Sequence, residues 1–262
     1  MSAITPLLVL PLRLAGSGDG RLITAPLATV HGWSRTQTPD GTVRFTSPCR
    51  TAVLTAEGPA DRPAWTVHGF ADPGSEPLWR ATFGPGTPAE ITSAFTTVLA
   101  DGLRTRHRDY LCGGTRYRPD TPASVLADRG WLPDESPKGF HDQVAPDRTA
   151  VYRHRVGHQP HNAEVAGLAP PSWSMLAGDP QHPSWRAEFT LGVPFYPLVH
   201  AALAFSSPKP VQRLVGDIPT RHLALVTVRR ISGSDHPHPS PAARPGPSTT
   251  PASPPAPAAR RR

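Results

Sequence analysis

The chain has 262 residues, 37% hydrophobic and 7% aromatic, with 35 prolines and 22 glycines; this is enough for one or two ordinary cores and excludes long-helix and coiled-coil architectures. Lys plus Arg number 27 against 20 Asp plus Glu, a net charge of +7, but residues 232–262 hold four arginines less Asp235, +3 of that total, so the rest is only mildly basic. No segment reaches the roughly 18 consecutive apolar residues that span a bilayer, and a soluble cytoplasmic protein is expected.

In chain order, the first apolar run, Ile4-Thr5-Pro6-Leu7-Leu8-Val9-Leu10-Pro11-Leu12, lacks a basic flank and carries two prolines, so it reads as part of the fold rather than as a secretion signal. A short helix is expected over 25–31, before Gly32-Trp33. Strands follow over 45–47, 50–55, 65–70 and 79–83, the last with Trp79, Ala81 and Phe83 on one face and Arg80 and Thr82 on the other. Thr87-Pro88-Ala89-Glu90 then predicts a helix with Thr87 as N-cap, Pro88 at the first helical position and Glu90 closing a capping box. Ile91, Ala94, Phe95, Val98 and Leu99 form its apolar stripe, which ends at Asp101-Gly102.

The same order then recurs. All six tryptophans pair up, Trp33 with Trp131, Trp65 with Trp173 and Trp79 with Trp185, and Pro48-x-Arg50-Thr51-Ala52-Val53 returns as Pro146-x-Arg148-Thr149-Ala150-Val151. Trp79-Arg80-Ala81-x-Phe83 returns as Trp185-Arg186-Ala187-x-Phe189, with about eight extra residues before it. A repeat of about 100 residues is domain-sized. The chain therefore reads as two copies, 1–103 and 104–231, each an antiparallel β-meander of about four strands with a packing helix, a pseudo-symmetric α+β pair. Helices are expected over 122–129, opened by Thr121-Pro122, and over 194–205. Residues 232–262, with nine prolines and Arg260-Arg261-Arg262, read as a disordered tail.

Leu14-Ala15-Gly16-Ser17-Gly18-Asp19, Gly32-Trp33, Ser47-Pro48, Trp65, Trp79-x-x-x-Phe83 and Thr87-Pro88-x-Glu90 together resemble the actinobacterial domain-of-unknown-function family 317. The resemblance covers nearly everything but the tail, including Pro208-x-Pro210-Val211-x-Arg213, and departs at Ala145-Pro146, which stands where Ser-Pro is usual. It implies a tandem pair in an actinobacterial setting, in some members near mobile elements, and implies no activity or functional residue.

No constellation carries chemistry by itself. His154-x-x-x-His158-x-x-His161 has one helical metal-ligand spacing, but Gly157 and Pro160 interrupt it, and the segment reads as a solvated, variable loop. Cys49 and Cys112 occupy unmatched places, so neither a disulfide framework nor a duplicated metal knuckle is expected. No catalytic residue, cofactor or metal is assigned. The arginine-rich junction Arg104-x-Arg106-His107-Arg108 reads as a solvated linker. Arg80 and Arg186 are the candidate partner contacts, since strand alternation sends both to the face away from the core; a cross-strand ion pair is their plainer role. Three functions remain open. The first is a non-catalytic interaction module that binds a protein partner; the alternatives are a nucleic-acid-binding protein of a mobile element, and an enzyme or small-ligand protein with a cleft between the copies. A positive sheet face would favour the second, an apolar groove the first, and a closed pocket with converging polar groups the third.

Overall fold

The computed structural model describes residues 6–59, 63–105, 120–157, 159–179 and 181–230. The expectations for the tail, for Cys112, for most of the arginine-rich junction and for His158 lie outside these residues. The fold is mixed α+β with two antiparallel sheets. The larger has ten strands. One half runs β2 (Ser34–Gln37), β3 (Val43–Thr46), β4 (Ala52–Glu57), β5 (Ala64–Phe70) and β6 (Pro77–Phe83); the other runs β11 (Pro183–Phe189), β10 (Trp173–Gly178), β9 (Ala150–Arg155), β8 (Phe140–Val144) and β7 (Leu132–Asp134), with β6 against β11 at the seam. Each half therefore has five strands rather than about four. The additional ones are the edge strands β2 and β7, whose short polar sequences carry no alternation to reveal them. The smaller sheet places β1 (Leu7–Leu10) between β12 (Val211–Arg213) and β13 (Thr227–Arg230).

Helices α1 (Arg21–Thr29), α2 (Ala89–Arg104), α5 (Phe195–Phe205) and α3 (Pro122–Ala127) pack side by side in that order. They cover the sheet face that carries Trp79, Ala81 and Phe83 from β6 and Trp185, Ala187 and Phe189 from β11. One apolar cluster runs through both halves. At its centre the Phe83 and Phe189 rings meet edge to face at 5.5 Å, and Phe95 of α2 closes on them at 5.5 and 5.8 Å. Each of these fully buried rings contributes about 2–3 kcal/mol by leaving water, which makes the seam the strongest part of the core.

The repeated Pro-x-Arg-Thr-Ala-Val strings form the same turn. Arg50 and Arg148 both adopt left-handed backbone, φ 59° and 58°, and donate N–H bonds to Ser47 O and Ala145 O at 2.9 and 2.8 Å. Replacing Ser-Pro by Ala145-Pro146 thus leaves the backbone unchanged. The serine hydroxyl accepts Ala52 N–H at 3.1 Å, whereas in the second half Asp147 accepts the N–H one residue earlier, that of Thr149, at 3.1 Å.

The start of α2 differs from its expectation. Pro88 is the N-cap and no side chain caps the helix; Thr87 Oγ1 instead donates to Gly84 O at 2.8 Å, and Ala89 N–H donates to Ser17 O at 2.7 Å. Glu90 has a stronger claimant than the backbone. The buried Arg213 guanidinium holds its carboxylate through two bonds of 2.8 and 2.6 Å, and a bidentate charge-assisted pair outweighs one neutral amide. The helix also continues through Gly102 to Arg104, because Gly102 is buried and Leu103 packs on the core. The reciprocal capping box occurs at α3 instead, where Thr121 Oγ1 accepts Ser124 N–H at 3.0 Å and Ser124 Oγ accepts Thr121 N–H at 2.8 Å.

The extra residues of the second half form an element of their own. They lie between β9 and β10 and contain α4 (His161–Val165), which packs on β6 across the seam. This stretch is therefore not a solvated loop. Glu164 is 0% exposed, paired with Arg155, and accepts bonds from Ser172 N–H at 3.1 Å and Leu191 N–H at 2.8 Å. His161 Nε2 bonds Leu78 O, just beyond the last β6–β11 pair.

Candidate binding groove

Arg80 and Arg186 do lie on the sheet face opposite the core but are not opposite each other across the seam: Thr82 pairs with Glu188, Arg80 N–H donates to Thr190 Oγ1 at 2.9 Å and Gly84 N–H donates to Arg186 O at 2.8 Å. Their surroundings differ. Arg80 is half-buried under the inserted segment, with Nη2 donating to Glu164 O at 3.3 Å and Gly167 packed against its guanidinium. Arg186 is exposed and pairs with Glu188 along its own strand at 3.2 Å. Between them and the first edge stands His68, opposite Arg80; burial, then the charges of Arg80 and Arg44, hold its imidazole below the ordinary histidine range. Arg153 on the same face is held by Asp142 through two bonds of 2.9 and 2.7 Å, which raises its pKa against a smaller opposing effect of burial. Most donors on this face are already used within the chain.

The face under the helices holds the more open site. Trp173 is enclosed by two rings, with His154 stacked on it at 5.8 Å and an interplanar angle of 10°, and Phe195 edge-on at 5.8 Å. Burial, then His141 and Arg155, depresses the His154 pKa and so favours the neutral ring. At the matched places around Trp65 stand Ala56, directly across the strand pair, and Ala89 at the start of α2. Ala56 borders open space, whereas Ala89 is buried against the chain at Ser17. Beside Trp65 a cavity of about 600 Å³ opens between α1 and the β2–β5 end of the sheet.

Its floor is Trp65, Phe45, Val43 and Ala56, and its roof is Ala25 and Ala28 of α1. These residues form a floor and roof because β3, β4 and β5 turn every second side chain toward the helices, while α1 presents the small Ala25 and Ala28 beside Arg21 and Thr24. At the rim, Asp19 accepts both the backbone N–H and the guanidinium of Arg21, at 2.9 Å each, and its carboxyl titrates below the usual range. Arg35 of β2 also reaches the rim, with one long contact of 3.4 Å to Gln37 and no ion pair among the described residues. The groove is apolar, open and edged by arginine. It contains no pairing of a nucleophile with a base and no set of metal ligands; among the described residues no cluster of three His, Cys, Asp or Glu side chains could hold a metal. Unequal residues at matched positions, Ala56 against His154, were the signal in the sequence that could have located it.

Other polar constellations tie segments together. His222 is 2% exposed, donates from Nδ1 to Leu14 O at 2.8 Å and accepts at Nε2 from Ser184 Oγ at 2.6 Å, joining three distant stretches; burial depresses its pKa most, the bond to Leu14 opposes this, and Arg221 lowers it further. Arg13 is also buried. It bonds Thr149 Oγ1 at 3.1 Å, pairs with Asp147 and lies 5.7 Å over the Trp131 ring, while its carbonyl accepts Trp185 Nε1–H at 2.8 Å. Cys49 is a free, exposed thiol; partial burial would raise its pKa, but hydrogen bonds with Ser47 and Thr51 outweigh that and lower it.

The groove's strands β4 and β5, with β6 and α2, fall within one recognised segment. Residues 46–103 match the family model SPDY, domain of unknown function (DUF317). The match runs from the end of β3 through β4, β5 and β6 into α2 and carries no activity with it. No curated protein and no solved structure matched the chain. Among the described residues no helix is long and apolar enough to cross a membrane.

Proposed function

We propose that this chain is a non-catalytic interaction module, built from two copies of one domain, that binds a protein partner. The observation that carries the reading is the apolar groove of about 600 Å³ at Trp65, against a cavity of about 380 Å³ beside Trp173, where His154 and Phe195 pack on the indole. A cavity of that volume, apolar on its floor and roof and polar only at its rim, suits side chains of a partner better than it suits bond making. Phage-displayed peptides panned against the full chain test this: enrichment that disappears when Ala25→Trp fills the groove supports it, and recovery of no groove-dependent sequence overturns it.

A second reading, nucleic-acid binding by the opposite sheet face, draws on Arg80 and Arg186 sharing that face, with exposed Arg44 free of ion pairs among the described residues. Its test is binding to mixed-sequence duplex and single-stranded DNA across a salt series, where phosphate contacts make affinity fall steeply with salt. Binding that weakens in Arg44→Ala and Arg186→Ala would replace the protein-partner reading.

A further inference from the structure

We infer that the sheet face opposite the core carries, in the first half, an oxyanion site framed by Arg44, His68, Arg80 and the hydroxyls of Thr66 and Thr82, and that it takes a phosphorylated side chain of a protein partner. The site lies outside the Trp65 groove and takes only the class of its occupant from the protein-partner reading.

Strand register brings these residues together. On that face one row crosses β3, β4, β5 and β6 as Arg44, Thr55, Thr66 and Thr82, and beside it His68 stands opposite Arg80. The matched row of the second half is Asp142, Arg153, Ser174 and Glu188 on β8, β9, β10 and β11, with Leu176 opposite Arg186. The two rows finish their charges differently. Asp142 holds Arg153 and Glu188 holds Arg186, so the second half neutralises itself. In the first half Arg44 takes the place of Asp142 and Thr82 that of Glu188, and among the described residues neither Arg44 nor Arg80 has a carboxylate partner.

The leftover charge is positioned before any ligand arrives. Glu164 O and Gly167 fix the half-buried Arg80 guanidinium without neutralising it, which lowers the ordering cost of binding. His68 lies between the two arginines in strand order, and among the described residues its ring nitrogens have no hydrogen-bond partner. Burial, then Arg80 and Arg44, lowers its pKa, so both cations act at that ring. Two guanidinium groups, an imidazole and two hydroxyls offer more than one carboxylate can accept. A phosphomonoester brings a charge of about −1.5 to −2 and three acceptor oxygens. A polyanion fits less well, because a nucleic-acid strand continuing along the row would meet Glu188 and Asp142.

The probe is the acetylated, amidated peptide Gly-Ala-phosphoserine-Ala-Gly, titrated into the full chain and followed by amide and imidazole NMR shifts. Comparison ligands are the same peptide with Ser or Glu at its centre, inorganic phosphate, and mixed-sequence single-stranded DNA. The expected result is saturable shifts at Arg44, Thr66, His68, Arg80 and Thr82 with the phosphopeptide, binding roughly tenfold weaker for the Glu form, and none for the Ser form. Arg44→Ala and Arg80→Ala each weaken binding by roughly tenfold, whereas Lys209→Ala, which removes an exposed cation elsewhere, leaves it unchanged. Thr82→Glu copies the second half, gives Arg80 an acid, and abolishes binding with no cation removed. Thermal melts of each variant separate loss of binding from loss of fold. Absence of phosphopeptide binding, or binding indifferent to Arg44→Ala and Thr82→Glu, overturns the inference; groove-dependent peptides from the panning experiment would still leave the protein-partner reading standing. Inorganic phosphate that binds as tightly as the peptide assigns the site to the free ion and also overturns it. So does single-stranded DNA that binds more tightly than the peptide and weakens in Arg186→Ala, which assigns the face to nucleic acid.

Discussion

The two sides of the ten-stranded sheet carry matched frameworks and opposite finishes. Around Trp173 the second half carries the rings of His154 and Phe195 and a smaller cavity of about 380 Å³, its edge strand is blocked by Pro133, and its extra segment reaches across the seam to cover Arg80. Around Trp65 the first half has alanines, an open groove and an edge with free donors. The aromatic framework is common to both because it forms the core, where each position is constrained by close packing. The differences fall at residues that finish a surface.

The comparison breaks most easily at Glu164. Glu164→Ala leaves the Arg155 guanidinium buried without its carboxylate, at a cost of about 3–5 kcal/mol; chemical denaturation should show the loss, and faster amide exchange over 161–165 should show α4 leaving Arg80. A midpoint within experimental error of wild type would mean that the insert does not hold the seam.

Next in size is an exchange between matched positions. Trp79 lies flat against Gly69, where an added Cβ would come within 2.1 Å of the indole, whereas Trp185 lies opposite Ala177 and sends its Nε1–H to Arg13 O. Gly69→Ala should therefore overpack the first half by about 1–3 kcal/mol, and Ala177→Gly should cost about 0.5–1 kcal/mol. Equal thermal shifts for the two would show that the matched tryptophans are interchangeable.

The helix starts give a smaller contrast. Thr121→Ala removes a reciprocal capping box, at about 1 kcal/mol, while Glu90→Gln should spare the start of α2 and instead loosen Arg213, read as faster exchange in β12. The pH series probes the C-terminal tie. His222 has a folded pKa below its unfolded value near 6.5, so the unfolded chain binds more protons once pH falls below that value. Stability from this group is fully present above about pH 6.5 and declines as pH drops toward 5, and His68 and His154 act with the same sign. A melting temperature that rises over that interval would contradict the placement of all three. Smallest of all, Arg186→Ala removes an exposed ion pair and should move the midpoint by less than about 0.5 kcal/mol.

Much of the framework was legible from residue patterns. The alternation at Trp79-Arg80-Ala81 and the proline-led helices place β6, α2 and α5, whereas the missing serine at Ala145-Pro146 pointed to a different turn and the backbone is the same in both halves. The edge strands β2 and β7 were not, since exposed four- and three-residue segments leave no hydrophobic period. Nor was the true partner of Glu90, because a local spacing rule competes with an arginine 123 residues away. His154 and His161 looked like one motif with His158, yet His154 is on β9 and His161 opens α4.

The sequence by itself determined which residues point toward the core, the α+β class and the order of the elements, because apolar period and turn chemistry are local properties of the chain. Tertiary structure alone decided that β6 pairs with β11 to make one sheet with one core, that the insert of the second half covers the arginine of the first, and that Ala56 borders an open groove at Trp65. Those outcomes depend on which surfaces meet, and an alanine in a sequence carries no mark of the ring that is missing beside it.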